Sequence, residues 1–179
     1  MANQLIPSEL RSGRLLDIGC GSYPYFLANT RFSEKWGVDQ VFETESRLEL
    51  GKQHISLLPF DAERDAALPF PEEHFSVVTM LAVFEHIAMD RLILLLTEIN
   101  RVLKMGGLYI ATTPAFWTGG LLKSLAALRL VSSEEIDEHQ DVYRHADISR
   151  ALNKAGFERA AIRQGYFELF MNTWSVAKK

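Results

Sequence analysis

Cysteine is almost missing from this chain: among 179 residues there is one, Cys20. A lone cysteine excludes an internal disulfide and suits a reducing compartment. Basic residues do not predominate either. Lys and Arg total 19 against 23 Asp and Glu, a net charge of -4, and no basic stripe stands out, which argues against a nucleic-acid groove. No apolar run approaches the roughly 20 residues of a membrane span. No basic stretch leading into an apolar core opens the chain as a secretory signal does. The expected compartment is therefore the cytoplasm. Internal repeats and low-complexity segments are missing as well. What is left is an ordinary globular composition, 47% hydrophobic and 23% charged. The length suits one domain over residues 1–179, with 1–12 as a lead-in. A chain of this size buries about two-thirds of its unfolded surface and needs no structural metal.

The most informative stretch is Leu15 to Phe26, LLDIGCGSYPYF. Leu15, Leu16 and Ile18 read as a buried parallel strand. Gly19 and Gly21 let the backbone turn tightly and approach a ligand. Ser22 reads as a helix cap and Pro24 as a first-turn residue. Strand, glycine turn and helix together form the entrance to a Rossmann-like nucleotide site, with Asp17 at the strand's carboxyl end.

Strands alternate with helices along the rest of the chain. Strands are expected at 14–18, 35–38, 54–58, 75–81 and 108–112. Helices are expected at 23–30, 48–53, 90–104 and 145–155. The helix over 90–104 has Leu92, Leu95, Leu96, Ile99, Val102 and Leu103 on one face and is read as ending at Gly106-Gly107. Two closing strands, at 158–168 and 170–177, are joined closely enough for an antiparallel hairpin. This alternation implies a mainly parallel sheet with helices on both faces.

Asp39 lies about 20 residues past the glycine turn, at the end of the second strand, where its carboxylate can accept both hydroxyls of a ribose. Gln40 follows it. Asp61, after the third strand, is either an acceptor for an adenine amino group or the cap of the turn it begins; it could serve as both. Phosphates are poorly served. The pattern is G-x-G-x-x-P, so Pro24 removes an N–H where pyrophosphate would be held. There is also no Lys-Ser/Thr pair of a phosphate loop. An adenosine ligand without phosphates fits better than a dinucleotide, which disfavours a nicotinamide oxidoreductase.

The ordered set LLDIGCG, GVD (Gly37 to Asp39), FDAE (Phe60 to Glu63), LPFPEEHFSVVTMLAVFEHI (Leu68 to Ile87) and EINRVLKMGGLYIATTP (Glu98 to Pro114) resembles the class I S-adenosylmethionine-dependent methyltransferases, in particular the small-molecule, type 11-like group. The resemblance implies an α/β fold: a Rossmann-like three-layer sandwich whose seven-stranded, mostly parallel sheet has an antiparallel last strand. It implies S-adenosylmethionine as cofactor and S-adenosylhomocysteine as product. Carried onto this chain, it places Asp17, Gly19 and Gly21 around the methionine part, Asp39 at the ribose, Asp61 and Ala62 at the adenine, and Leu81 along the pocket wall. Tyr23 stands where many members have a third glycine, Met105 where a proline usually precedes the glycine pair, and Ser76 where an Asp is common. The short lead-in leaves an open acceptor site, or one completed by a protein partner or a second copy. A catalytically weak domain that serves as a partner module is the alternative.

Methyl transfer from a sulfonium is an in-line displacement, so alignment is most of the task. An alcohol acceptor would also need a base. The candidates are Glu85 and His86 after the fourth strand, and Tyr143 and His145 before the last helix, with His139 nearby. Each has a plain structural alternative: His86 as a cap, His139 and His145 as solvated loop residues. His139, Asp141 and His145 are ligand types for a metal, but no second motif completes such a set. Cys20 reads as a small packing residue. Phe116 to Val131, rich in leucine, is either a helix packed on the sheet or an apolar lid. In the second case residues 115–145 form an acceptor-side insertion, in which Trp117 and Leu121 to Leu128 meet a small-molecule acceptor that is hydrophobic or lipid-linked. Glu134 to Phe157 loosely resembles the tail of methyltransferases of sugar and cell-surface polymer biosynthesis.

Overall fold

The structure is a computed structural model that describes residues 1–40, 54–118 and 143–179. Strands β1 (Arg14–Ile18), β2 (Glu34–Asp39), β3 (Ile55–Pro59), β4 (Phe75–Leu81), β5 (Leu103–Pro114), β6 (Ile162–Phe167) and β7 (Asn172–Lys178) form one sheet in the order β3-β2-β1-β4-β5-β7-β6. The first five pair in parallel, and β7 runs antiparallel to both β5 and β6. The expected seven-stranded sheet and closing hairpin are both present. The order reverses between β1 and β4, so a crevice opens at their carboxyl ends, where ligands bind in open α/β sheets.

Among the described residues four helices flank the sheet: α1 (Ala2–Leu5), α2 (Tyr25–Ala28), α3 (Met89–Val102) and α4 (His145–Lys154). On one face α3 buries Leu92, Leu95, Leu96, Ile99 and Val102. They share a core with Leu16, Ile18, Val78 and Met80 of the sheet and with Ile148, Ala151 and Leu152 of α4. Each such side chain contributes about 1.5–3 kcal/mol when fully buried. On the other face Ala2, Ile6 and Leu27 cover Leu15, Val77, Ile110 and Val176. The buried Lys35 ammonium donates to the Leu27 carbonyl at 2.9 Å. It sits at the carboxyl end of α2, where a cation suits the helix dipole.

Three boundaries differ from the sequence reading. The strand expected at 158–168 begins at Ile162, because Arg159–Ala161 form a 3-10 turn first. The helix over 90–104 stops at Val102, and β5 begins at Leu103 and continues to Pro114. Gly106 (φ +77°) and Gly107 lie inside that strand, where the register with β4 shifts between Phe75 and Val77. A Cβ on Gly107 would lie 2.8 Å from the Lys104 carbonyl oxygen. The glycine pair therefore forms an irregularity in a strand instead of capping a helix. The helix over 23–30 is a single turn, and Pro24 occupies its cap position without a side-chain hydrogen bond. Ser22 lies two residues too early to cap it. The helix expected at 48–53 lies outside the described residues, as does most of the 116–131 segment.

Candidate functional site

At the reversal point the chain builds a cleft of about 240 Å³ lined by Ile18, Gly19, Val38, Asp39, Gln40, Phe60, Ala62, Ala82, Val83 and His86. The lining comes from the carboxyl ends of β1 and β2 and from the residues just after β3 and β4, because parallel strands present these ends together. The glycine turn is held from two sides. Gly19 N donates to the Val38 carbonyl at 2.8 Å, and Gly21 N donates to Asp39 Oδ2, also at 2.8 Å. Both glycines have positive φ, +71° and +74°. A Cβ on Gly19 would meet Val83 Cγ2 at 2.4 Å, so that position needs glycine for its conformation and for the space it leaves.

Asp39 thus ties β2 to the glycine turn and presents its carboxylate to the cleft. Gln40 reaches across it: Nε2 donates to Asp61 Oδ1 at 3.2 Å. Asp61 is the cap of its own turn, accepting from the N–H groups of Glu63 and Arg64 at 2.9 and 3.2 Å. Arg91 of α3 clamps that turn, donating to the carbonyls of Ala62 and Asp65. The Asp61 turn is therefore fixed by both its own carboxylate and a guanidinium from the neighbouring helix.

Asp17 is buried on β1, level with Gly37 of β2 and Thr79 of β4. Thr79 Oγ1 donates to Asp17 Oδ1 at 2.6 Å and lies 3.3 Å from the Leu16 carbonyl. Burial pushes the Asp17 carboxyl up to about 7, against the Thr79 hydrogen bond and with help from the charge of Asp39. A protonated Asp17 can donate to Thr79, whose own proton then serves Leu16. Cys20 packs beside it in the core; burial, then Asp17 and Asp39, push its thiol well up. It is a packing residue with no thiolate at neutral pH.

The remaining candidates separate. His86 lines the cleft. Glu85, its neighbour on the short 3-10 turn Phe84–His86, is buried and turned toward β5, where Thr113 Oγ1 donates to its Oε2 at 3.0 Å. Tyr143 is buried against Phe84, and its hydroxyl donates to the Ile87 carbonyl at 2.6 Å. His145 lies apart, at the start of α4, with its ring 4.6 Å from that of Tyr166. Burial lowers its pKa, opposed by a hydrogen bond to the Gly165 backbone. His139 and Asp141 lie outside the described residues. Tyr23 is 56% exposed and does not line the cleft. Leu81 faces a second concavity, while Ala82 and Val83 face the cleft. Sequence reasoning missed Thr79 and Arg91. The first shows as a hydroxyl in the middle of an otherwise buried strand, FSVVTML; the second carries no local signal.

The larger cavity at 510 Å³ lies at the opposite edge, between Leu10, Gly106, Ala161 and Lys178. It is remote from the strand ends that carry the acids, and the crevice is the site its chemistry singles out.

The lining fits an adenosyl group. Val38, Phe60 and Ala62 offer apolar walls for a planar base, Asp39 a carboxylate for vicinal hydroxyls, and Gly19 a cradle that any side chain would fill. A family model described as a methyltransferase domain matches residues 2–161. No curated protein is similar in sequence. Among solved structures, a Haloferax volcanii protein in complex with the Trm112 methyltransferase activator superposes with a TM-score of 0.72 at 19% identity, over 99% of this chain and 86% of that one. An S-adenosylmethionine-dependent methyltransferase from Mesorhizobium loti gives 0.71 at 15% identity, over 99% and 96%. A Thermotoga maritima S-adenosylmethionine-dependent methyltransferase gives 0.69 at 19% identity, over 98% and 84%. At these identities the structural likeness concerns the fold.

Proposed function

The chain belongs to the class I S-adenosylmethionine-dependent methyltransferases, and from that premise we propose that it binds S-adenosylmethionine in the crevice and transfers the methyl group to a small-molecule or lipid- or sugar-linked acceptor. The observation that carries this reading is Asp39: a carboxylate at the carboxyl end of β2, fixed by the Gly21 N–H at 2.8 Å, inside a cleft whose other walls are mostly apolar. In this reading Asp39 and Gln40 meet the ribose, Asp61 and Ala62 the adenine, and Asp17, Gly19, Gly21 and Tyr23 surround the methionine end, with Leu81 on the acceptor side of the same wall. At 240 Å³ the cleft is below the roughly 300–1,000 Å³ of a typical ligand pocket. A whole cofactor therefore extends past Gly21 toward Tyr23.

The bound cofactor supplies an electrophilic methyl group on a good leaving group. The protein's share is placement. The glycine turn and Val83 set the depth, Asp39 sets the rotation, and Asp17, hydrogen-bonded to Thr79, fixes the end of β1 beneath the ligand. Glu85 and Tyr143 hold the loop after β4 in position, tying it to Thr113 and Ile87, and so act as positioning residues. His86 borders the cofactor. His145 supports the α4 side. In this reading one domain spans 1–179, with 115–145 as an acceptor-side insertion, and the protein is cytoplasmic. Among the described residues no helix is long and apolar enough to cross a membrane. A protein partner is part of the proposal, since one structural neighbour was solved with a methyltransferase activator.

Calorimetry tests the reading. Titration with S-adenosylhomocysteine should give one-site binding, and a nicotinamide dinucleotide should give none. Folded protein that ignores S-adenosylhomocysteine at millimolar concentration overturns it.

A further inference from the structure

The cavity of about 510 Å³ lies at the far edge of the sheet, away from the crevice, where β5 begins and β7 ends. Strand alternation builds its floor. Val176 of β7 is buried on the face that also carries Leu15 and Ile110. Lys178, two residues on, lies on the same face. Arg163 of β6 stands directly across from Val176, and Leu108 of β5 directly across from Lys178. All four side chains therefore share one face. Ile162 and Ala177, one position along, belong to the opposite core. Leu10 closes one side of the cavity, and Ala161 of the 3-10 turn closes the other. The end of β7 is pinned in place: Lys179 N donates to the Gly107 carbonyl at 3.0 Å, and Gly106 N donates to the backbone oxygen of Lys179 at 2.9 Å.

Among the described residues, three charged side chains line this cavity, Arg163, Lys178 and Glu9, and every other lining side chain is apolar. Neither cation has an ion pair or a side-chain hydrogen bond among the described residues. Glu9 is exposed, pairs with neither of them, and accepts from the Ser8 hydroxyl at 3.4 Å. The adjacent Lys179 shows the contrast, since its ammonium donates to the Leu103 carbonyl at 2.8 Å. By register Arg163 and Lys178 are diagonal neighbours across the strand pair, with backbones about 7–8 Å apart. Two unpaired like charges at that spacing repel, and one anion seated between them offsets the repulsion. The crevice, bordered by Asp39, has the reverse sign.

We propose that this cavity binds a small molecule with an apolar body and one anionic group, a carboxylate or a phosphate monoester. The body rests on Leu108, Val176, Leu10 and Ala161. The anion sits between the Arg163 guanidinium, whose fork matches its oxygens, and the Lys178 ammonium, which acts as a point charge. A volume of 510 Å³ falls within the roughly 300–1,000 Å³ of small-molecule pockets, and a mostly apolar lining with a few polar groups is their usual make-up. The site stands apart from the crevice, and its existence does not depend on the methyltransferase reading.

Calorimetry of the whole chain with naphthoate and naphthyl phosphate tests the proposal. Naphthamide supplies the same body without the charge, and acetate the charge without the body. The expected result is one-site binding of naphthoate or naphthyl phosphate, at least tenfold tighter than naphthamide or acetate and weakened by added salt. The tighter of the two anions identifies the head group. Arg163→Ala combined with Lys178→Ala, both at exposed positions, should lower the affinity for the anion at least tenfold with an unchanged thermal midpoint. Ala160→Trp, at an exposed position on the rim, should block the cavity and abolish binding in a chain that still melts normally. Equal affinity for naphthoate and naphthamide, or unchanged affinity in the double variant, overturns the proposal. Binding that survives Ala160→Trp places the ligand elsewhere and overturns it too, as does the absence of binding by either anion at millimolar concentration.

Discussion

The crevice and the concavity beside it are separated by a single turn of backbone, and they are built on different principles. The crevice is assembled from backbone geometry and fixed charges: two glycines at positive φ, a carboxylate tied to the Gly21 N–H, and a buried acid on a threonine. The concavity is lined mostly by aromatic and aliphatic side chains, with two amides and the hydroxyls of Tyr25 and Thr112. The first arrangement tolerates little change, because each part has one partner at one distance. The second tolerates substitutions that keep the volume. In this chain the part read most easily from sequence is the part with the least freedom.

Breaking the crevice should have the largest effects. Gly19→Ala puts a Cβ 2.4 Å from Val83 Cγ2 in a left-handed conformation. The conformation costs about 1–2 kcal/mol and the overpacking about 1–3 kcal/mol. A denaturant melt should show the stability loss, and cofactor binding should disappear with it. Next comes Asp39→Ala. A charge-assisted hydrogen bond contributes about 1.5–3 kcal/mol, so S-adenosylhomocysteine affinity should fall by roughly 10–150-fold in a calorimetric titration. Unchanged affinity means the ribose lies elsewhere.

A third prediction sharpens the contrast through pH. The Asp17 carboxyl is raised to about 7 by burial, above an unfolded value near 3.9. The native state therefore keeps a proton that the unfolded state has released. Its contribution to stability is fully present below about pH 4 and is lost as pH rises to about 7. Asp17→Asn should flatten that part of the curve in denaturant melts at several pH values, and an unaltered slope would put the titration on another group. A smaller effect is expected from Tyr143→Phe. Removing the donor to the Ile87 carbonyl at 2.6 Å should cost about 1–2 kcal/mol of stability and leave turnover intact once the protein is folded. Loss of turnover in a folded variant returns Tyr143 to the catalytic set.

The fold was legible where one physical signal acted alone. Arg14–Ile18 and Phe75–Leu81 are mostly apolar and lie between clear stops, and both strands are found where the sequence places them. Leu103 was misassigned because it satisfies the helical period and also opens a strand; periodicity cannot separate the two. Gly106-Gly107 reads equally as a helix stop or a strand irregularity, and only pairing with β4 decides. In the site, Asp39 and the glycines were legible because strand-turn chemistry dictates their place. Asp61 was legible as a cap, which it is. Arg91 was not, because it meets Ala62 29 residues away in the chain. The second concavity was least legible. An apolar wall is written in the same residues as a core, and Leu81 differs from Val77 or Met80 only in what the fold leaves beside it.

The most direct test of the central claim is a crystal structure of the protein with S-adenosylhomocysteine. The account predicts the adenosyl group in the crevice, both ribose hydroxyls within hydrogen-bonding distance of the Asp39 carboxylate, and the sulfur beside the wall formed by Leu81, Ala82 and Val83. A ligand bound away from Asp39, or a crevice left empty at saturating concentration, would contradict it.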